Sequence, residues 1–341
     1  METLSGGSWI RNQIKKKLTR HWNSYLVSPN NPGWDRTSSL TMASTYKSLL
    51  WLVNVLVVML VALPVLIFKL VGVPYKRGFF CDDETISHPY LASTIGNSIL
   101  YGVGFGVPLL VIVVVETFIR GISGPKSDVI FGKEIPNHVV SIIRLIIGYL
   151  FGTACSQTLT DICKYSIGRL RPHFFDICRP DWNLIDCGTD IRPKFVTNYT
   201  CLGNPELFPD AVESEDRVLD SHLSFCSGHA SFSFQAMIFV ILYLQARLLR
   251  RDRPNQTILV HALQFAAFMY AFFTALSRIS DYKHHPGDVL FGSILGTSAQ
   301  MVNVIFFMKL FTKEPLEPIT DDEQKKLTKV HGASYNTNSS F

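Results

Sequence analysis

Six long apolar runs constrain the fold of this 341-residue chain more than any other feature of its sequence. A helix needs about 20 apolar residues to cross roughly 30 Å of hydrocarbon, and each run is close to that length. The chain is also 47% hydrophobic and 17% charged, a balance that is typical of a multi-span membrane protein. The runs lie at 49–70, 95–117, 139–162, 230–248, 258–276 and 289–311.

The same runs predict an all-α protein. Backbone polar groups cannot stay unpaired in lipid, and these runs are too long and too evenly apolar for barrel strands. We therefore predict a polytopic bundle of six transmembrane helices over residues 49–311, with a polar arm at 1–48 and a tail at 312–341. The arm shows no cleavable signal peptide, so the first span is expected to act as an uncleaved anchor.

Basic residues predict the orientation of the bundle. The N-terminal arm, the loops after the second and fourth spans and the C-terminal tail all carry several Lys and Arg residues. The positive-inside rule makes these segments cytosolic, so the loop at 164–228 faces the outside or a lumen. That loop nevertheless begins with Lys164, Arg169 and Arg171. Long loops cross membranes regardless of charge, so these cations are either tolerated there or bind an anion.

Cysteines and glycosylation sequons agree with this orientation. Four of the seven cysteines fall in predicted outer loops, where disulfides persist: Cys81, Cys178, Cys187 and Cys201. Four cysteines allow three connectivities, and we favour Cys187 with Cys201 because this bridge closes a short loop. The sequon at Asn198 lies in the same loop, whereas those at 255 and 338 are predicted to be cytosolic. Only Asn198 is therefore expected to carry a glycan.

Three polar motifs fall at one end of the predicted bundle. They are "KYSIGRLRP", "CSGH" and "SRISDYKHHPGD", which supply Lys164 and Arg171, then Ser227, Gly228 and His229, and then Arg278, His284 and Asp288. Because each span reverses the side of the membrane, the number of spans between the motifs places all three on one face. We predict that these eight residues form one site.

The residue types in the motifs indicate phosphoryl transfer. Arginine binds phosphate through two parallel hydrogen bonds and lysine binds it as a compact charge. Ser227 and the amides around Gly228 lie at a predicted helix start, which favours an anion. The two histidines suit nucleophilic or acid-base work near neutral pH. Asp288 comes four residues after His284, so helical pitch would let its carboxylate fix the tautomer of that imidazole.

The remaining polar residues of the spans and loops receive simpler interpretations. We expect five further histidines to be solvated loop residues: His88, His138, His173, His222 and His285. Charged residues inside membrane spans are also typical of transporters. Here Glu116, Arg144 and Asp161 lie near span ends, so we interpret them as interfacial.

The motifs resemble those of the lipid phosphate phosphatases, or type-2 phosphatidic acid phosphatases, in the superfamily that includes vanadium haloperoxidases. The likeness extends to "PYKRGFFCDDETISHPY", "SIGRLRPHFF", "SGHASFSF" and "YLQAR", covers roughly 70–311, and fits an insect Wunen-like member. Cys226 departs from the pattern, since the superfamily often has proline there. The resemblance implies a haloperoxidase-like helical core and a metal-independent site that uses no cofactor.

The resemblance also implies a role for each motif residue. His284 attacks phosphorus to give a phosphohistidine, Asp288 supports His284, and His229 protonates the leaving alkoxide. The phosphate is held by Lys164, Arg171, Ser227, Gly228 and Arg278. The expected substrates are phosphatidate, lysophosphatidate and sphingoid-base phosphates, although the chemistry alone also permits soluble sugar phosphates.

Other functions and partners stay open at this point. A non-catalytic relative that binds lipid as a receptor or scaffold is the main alternative, but such relatives lack the motif lysine or histidine. Gly292 and Gly296 are compatible with internal helix packing or with a homo-oligomer, and the terminal "SSF" could be taken by a PDZ domain. No nucleic-acid partner is expected. We expect the protein in the plasma membrane with its site outside, or in an endomembrane with its site lumenal.

Overall fold

The computed structural model describes residues 36–121, 127–189, 192–249 and 257–312, and it is largely helical. The helices are α1 Arg36–Val71, α2 Asn97–Gly121, α3 Asn137–Ile167, α4 Phe174–Cys178, α5 Ala211–Ser221, α6 Gly228–Leu244, α7 Thr257–Ser280 and α8 Pro286–Val302. Turns of π-helix extend α6 over Gln245–Leu249 and α8 over Asn303–Phe307. Two short hairpins pair β1 Ser127–Ile130 with β2 Lys133–Pro136, and β3 Gly188–Thr189 with β4 Arg192–Pro193.

Six of these helices are long and apolar enough to cross a membrane, which confirms the predicted all-α, six-span class. Their apolar portions are Ser44–Val71, Asn97–Phe118, Asn137–Ile167, Gly228–Leu249, Ile258–Ser280 and Pro286–Phe307. Each portion overlaps one of the predicted runs. Residues 1–35 of the predicted arm and 313–341 of the predicted tail lie outside the described residues, whereas 36–48 belong to α1. The bounds of the arm and the tail therefore stay a prediction.

The described residues divide into two compact units, one within 36–54 and 127–137 and the other within 55–121 and 138–312. In the smaller unit, the Ser48 hydroxyl accepts a hydrogen bond from the backbone of Phe131, and Lys47 pairs with Asp128. The larger unit contains all three polar motifs.

Helix α6 lies at the centre of the larger unit and packs against α2, α7 and α8. Its buried residues Phe239, Val240 and Tyr243 belong to the main apolar core, together with Ile112 of α2 and Tyr149 of α3. This helix is apolar on every side, as expected for a span that other helices surround. Its first residue, Gly228, belongs to the second motif, so the packing of α6 fixes the position of that motif.

Glu116 and Asp161, which we interpreted as interfacial, lie near the ends of their spans, but their side chains are buried inside the bundle. Glu116 is 1% exposed, and its carboxylate accepts hydrogen bonds from the hydroxyls of Ser141 and Tyr243 at 2.9 and 3.1 Å. The Arg247 guanidinium also lies 3.1 Å from this carboxylate. Asp161 is 8% exposed and accepts a hydrogen bond from Gln157. Burial of these carboxylates is possible because each has partners inside the bundle.

The loops at the motif end are joined by two disulfides, and neither is the predicted Cys187–Cys201 bridge. The pairs are Cys81–Cys187 and Cys178–Cys201. Backbone pairing explains the difference, because Gly203 and Leu202 donate hydrogen bonds to the carbonyls of residues 178 and 179 and so bring Cys201 beside Cys178. Closeness in sequence was therefore a poor guide to closeness in space.

Gly292 and Gly296 pack inside the bundle. A Cβ atom on Gly292 would lie 2.6 Å from the carbonyl oxygen of Ser227, and one on Gly296 would overlap the carbonyl oxygen of Ser231. Both glycines therefore let α8 approach the backbone of α6 closely. Of the two alternatives that the sequence allowed, internal helix packing is the one observed.

We expect Gly296→Ala to destabilise the protein by about 1–3 kcal/mol, because the added methyl group has to push α8 away from α6. The matched control is Gly106→Ala in α2, where nothing lies within 4 Å of the added carbon. The measurement is thermal unfolding in detergent. An unfolding temperature for Gly296→Ala at or above that of Gly106→Ala would contradict the close α6–α8 contact.

Candidate active site

A cavity of about 230 Å³ lies where the three motifs meet. Six of the eight predicted site residues line it: Lys164, Arg171, Gly228, His229, Arg278 and His284. Lys164 comes from the end of α3, Gly228 and His229 from the start of α6, Arg278 from the end of α7, and His284 from the turn before α8. Residues far apart in sequence are therefore brought to one polar cavity.

The cations of this cavity are positioned by hydrogen bonds and close packing. Arg171 is 8% exposed, and its Nη2 donates to the carboxylate of Asp220 at 2.5 Å. A Cβ atom on Gly228 would lie 3.3 Å from Nζ of Lys164, so glycine here leaves room for the lysine side chain. Together these groups line the cavity with positive charge, which favours the binding of a phosphate.

Arg278 and His229 share one backbone acceptor. Nη1 of Arg278 and Nε2 of His229 lie 3.0 and 3.1 Å from the carbonyl oxygen of Ile95. A carbonyl can only accept, so Nε2 of His229 carries a proton and Nδ1 is left for another partner. The sequence did not indicate Ile95, because a backbone carbonyl leaves no trace in a residue pattern.

The imidazole of His284 is buried and has a defined tautomer. Its Nδ1 lies 2.7 Å from the carbonyl oxygen of Ser224, which fixes the proton on Nδ1 and leaves the lone pair on Nε2. Burial, with the nearby charges of Arg171, Lys164 and Arg278, lowers the pKa of His284 well below its usual value. His284 is therefore neutral at physiological pH, which is the form that can act as a nucleophile.

Asp288 does not contact His284 in the way that the sequence suggested. Its carboxylate accepts hydrogen bonds from the Ser224 hydroxyl at 2.6 Å, from Nη1 of Arg169 at 2.6 Å and from the backbone N–H of His285 at 3.1 Å. The direct prediction is wrong because α8 begins at Pro286, so no helical turn connects His284 to Asp288. Asp288 is instead linked to His284 through Ser224.

Ser227 lies at the start of α6, as predicted, but it does not line the cavity. It is the N-cap of α6, and its hydroxyl accepts from the backbone N–H of Ala230. Its own N–H donates to the carbonyl of Asp288 at 3.1 Å, which ties the second motif to the third. Ser227 and Asp288 are fully buried and lie behind the residues that line the cavity.

Two histidines that we expected to be solvated are buried. His173 is 2% exposed and its Nδ1 donates to the carbonyl of Tyr282, while burial, Arg171 and Lys283 lower its pKa to about 3. His222 is 8% exposed and lies 2.9 Å from the hydroxyl of Tyr199. The first contact joins the large loop to the turn that carries His284, and the second lies within the large loop. Single loop residues do not reveal such roles in a sequence.

Further residues of the cavity were not predicted as site residues. Lys283 and Tyr90 line it, and Arg169 and Ser224 hold Asp288 behind it. A signal existed for Lys283, since it directly precedes His284, and for Arg169, which comes two residues before Arg171. Ser224 has a similar signal, since it comes two residues before the "CSGH" motif. Tyr90 lies in none of the three motifs, and only the fold brings it to them.

Known proteins with similar sequences place the chain in a family. A family model described as the PAP2 superfamily matches residues 145–311, a range that includes all three motifs. A Drosophila melanogaster protein named "Putative phosphatidate phosphatase" is 42% identical over 277 residues, which cover 78% of this chain and 70% of that protein. The chain belongs to the PAP2 superfamily.

Mammalian relatives show the same likeness. Phospholipid phosphatase 1 of Rattus norvegicus is 39% identical over 259 residues, covering 76% of this chain and 84% of the relative. Phospholipid phosphatase 2 of Homo sapiens is 34% identical over 278 residues, covering 80% and 88%. Comparison with solved structures finds no match. The long apolar helices and these relatives together make the chain an integral membrane protein.

Proposed function

We propose that the protein is a lipid phosphate phosphatase that works through a phosphohistidine on His284. The observation that carries the proposal is the free Nε2 of a neutral, buried His284 in a cavity lined by Lys164, Arg171 and Arg278. Several cations around one nucleophile match the charge of a transferring phosphoryl group. Relatives named phosphatidate phosphatase and phospholipid phosphatase support phosphorylated lipids as the substrate class.

The proposed reaction has two steps. Nε2 of His284 attacks phosphorus, so a P–N bond forms while the P–O bond to the lipid alkoxide breaks. His229, protonated on both ring nitrogens beside the dianionic phosphate, donates its Nδ1 proton to the leaving oxygen and keeps the proton on Nε2. Water then attacks the phosphohistidine, His229 accepts a proton from this water, and inorganic phosphate leaves as the P–N bond breaks.

Phosphatidate, lysophosphatidate and sphingoid-base phosphates are the proposed substrates. The cavity has an apolar side formed by Leu100 and Tyr101 of α2 and Phe232 of α6, all within membrane-spanning helices. A lipid would reach the cavity with its chains beside these residues and its phosphate among the cations. A soluble sugar phosphate would gain nothing from this apolar side.

Hydrolysis by the purified protein tests this proposal. Phosphate release is measured from the three lipid phosphates and from glucose 6-phosphate and glycerol 3-phosphate, all in the presence of EDTA. We expect the lipids to be hydrolysed and strongly preferred. Equal hydrolysis of the soluble esters would contradict the substrate class, and strict dependence on added Mg²⁺ would contradict the mechanism.

We also propose that the cavity faces the outside of the cell or a lumen. Two disulfides in the loops at this end support an oxidising compartment on that side. Asn198 lies in the same loop region and is exposed, whereas the sequons at 255 and 338 lie outside the described residues.

This orientation predicts which sequon carries a glycan. Asn198→Gln is expected to remove the glycosidase-sensitive mobility shift of the protein, and Asn255→Gln is expected to leave it unchanged. The measurement is gel mobility with and without glycosidase after expression in eukaryotic cells. A shift that survives Asn198→Gln and disappears with Asn255→Gln would reverse the orientation.

A further inference from the structure

Lys283 lines the cavity, but it is not one of the eight residues that we predicted to form the site. It is 5% exposed, and its Nζ is 3.3 Å from the centre of the Tyr90 ring. Its backbone N–H donates to the carbonyl of Arg278, so the turn that carries His284 also fixes the start of the Lys283 side chain. An ammonium over an aromatic face is stabilised by the charge distribution of the ring.

Tyr90 is itself held in place from three sides. Its backbone N–H donates to the carboxylate of Asp176 at 2.8 Å, and its hydroxyl accepts from Nη1 of Arg217 at 3.3 Å. Its ring packs edge-on against His173 and Phe208. The ring is therefore a fixed platform for Lys283.

The charges around the cavity leave Lys283 without a counter-ion. Two nearby carboxylates are already paired, Asp220 with Arg171 and Asp281 with Arg278. In the part of the chain that the structure describes, Lys164 and Lys283 have no carboxylate in an ion pair. These four cations and two carboxylates leave a surplus of two positive charges. A phosphate monoester carries about −1.5 to −2 at neutral pH, so it would neutralise this surplus.

We propose that Lys283, held on the Tyr90 ring, is a further phosphate-binding residue that adapts the site to a dianionic phosphate monoester. A buried charge is costly unless it is paired, and the cation–π contact compensates only part of that cost. A bound phosphate oxygen would supply the missing partner. This inference rests on the proposed function, because it assumes that the cavity binds the phosphate of the substrate.

The charge of Lys283 should depend on pH within the neutral range. Burial lowers its pKa to about 7, with Arg171, Arg278 and Arg217 acting in the same direction and Asp220 against them. Two further titratable groups beside it, His173 and His284, are kept neutral by their own low pKa values. Lys283 is charged below its pKa and neutral above it. Anion affinity should therefore fall as the pH rises through about 7.

The test measures binding of sulfate, a tetrahedral dianion that does not titrate between about pH 6 and 9, to the full-length protein in detergent. At pH 6.5, Lys283→Met is expected to bind sulfate roughly 10- to 100-fold more weakly, the usual range for a hydrogen bond to a charged group. The matched control is Lys194→Met, which removes an exposed lysine of the large loop that pairs with Asp186. This control should bind sulfate like the unchanged protein.

Two conservative variants separate a phosphate contact from a merely structural role. Lys283→Arg keeps a permanent charge that stacks on Tyr90, so it should bind sulfate without the loss of affinity above pH 7. Tyr90→Phe keeps the ring and should bind sulfate more tightly than Tyr90→Leu. Should Lys283→Met not fold, the pH profile of Lys283→Arg and the two Tyr90 variants decide the question.

The outcomes for the inference and for the proposed function differ. Sulfate affinity of Lys283→Met equal to that of Lys194→Met would overturn the inference, as would an unchanged pH profile in Lys283→Arg. Phosphate release from lipid substrates is measured separately. A protein that binds sulfate through Lys283 but hydrolyses no lipid phosphate would refute the proposed function and leave the assignment of Lys283 in place.

Discussion

His284→Ala is expected to reduce phosphate release to background with every substrate, a loss of more than about 10⁴-fold. Nε2 of His284 is the proposed nucleophile, and its removal leaves no group to form the covalent intermediate. The loss should not depend on how easily the alcohol leaves, because the P–N bond can no longer form. The measurement compares a lipid phosphate with p-nitrophenyl phosphate, and His138→Ala at the start of α3 is the control.

Two results would contradict this role of His284. Turnover of p-nitrophenyl phosphate within tenfold of the unchanged protein, about 1.4 kcal/mol of barrier, would show that another group attacks phosphorus. An equal loss in His138→Ala would attribute the effect to folding, because His138 lies outside the motifs.

His229→Ala is expected to have a large effect that does depend on the leaving group. Without a general acid the lipid alkoxide must leave as a strong base, which costs about 10²- to 10⁴-fold in rate. A p-nitrophenolate is stable without a proton, so hydrolysis of its phosphate ester should be impaired much less. The measurement is the ratio of kcat/KM for the lipid and the aryl ester in His229→Ala and in the unchanged protein.

The comparison with His284→Ala makes this prediction specific. Equal losses on both esters in His229→Ala would contradict the role of His229 as a general acid. Such a result would fit a residue that only shapes the cavity, for example through the carbonyl of Ile95 that it shares with Arg278.

The sequence predicted the six spans from the length of the apolar runs. It predicted the meeting of the three motifs from the number of spans between them. A run of about 20 apolar residues has few alternatives in lipid, and the number of spans between motifs fixes their side of the membrane. Lys164, His229 and His284 line one cavity for this reason. No detail of the loops is required for that conclusion.

The predictions that failed depend on local backbone geometry, which the spacing of residues along the sequence does not determine. The Asp288 prediction assumed helical pitch from His284 onward, whereas α8 begins only at Pro286 and Asp288 turns back to Ser224. The Cys187–Cys201 prediction assumed that the shorter loop closes first, whereas backbone pairing brings Cys201 to Cys178. In both errors the predicted pair includes a residue outside the regular helices, where sequence spacing no longer determines distance.

Contacts between distant loops were also beyond the sequence. Tyr90 comes from the first loop and Lys283 from the last, so no motif contains both. Their contact follows from the fold, as does the burial of His173 against Tyr282.

Rapid-quench labelling tests the central claim most directly. The purified protein is mixed with a lipid phosphate that carries a radioactive phosphoryl group, quenched in alkaline detergent within its first turnovers, and digested at alkaline pH so that the labelled peptide can be identified. We expect an acid-labile label on the peptide that contains His284, and no label in His284→Ala. A label that persists in His284→Ala, or hydrolysis at the full rate with no labelled protein, would contradict the central claim.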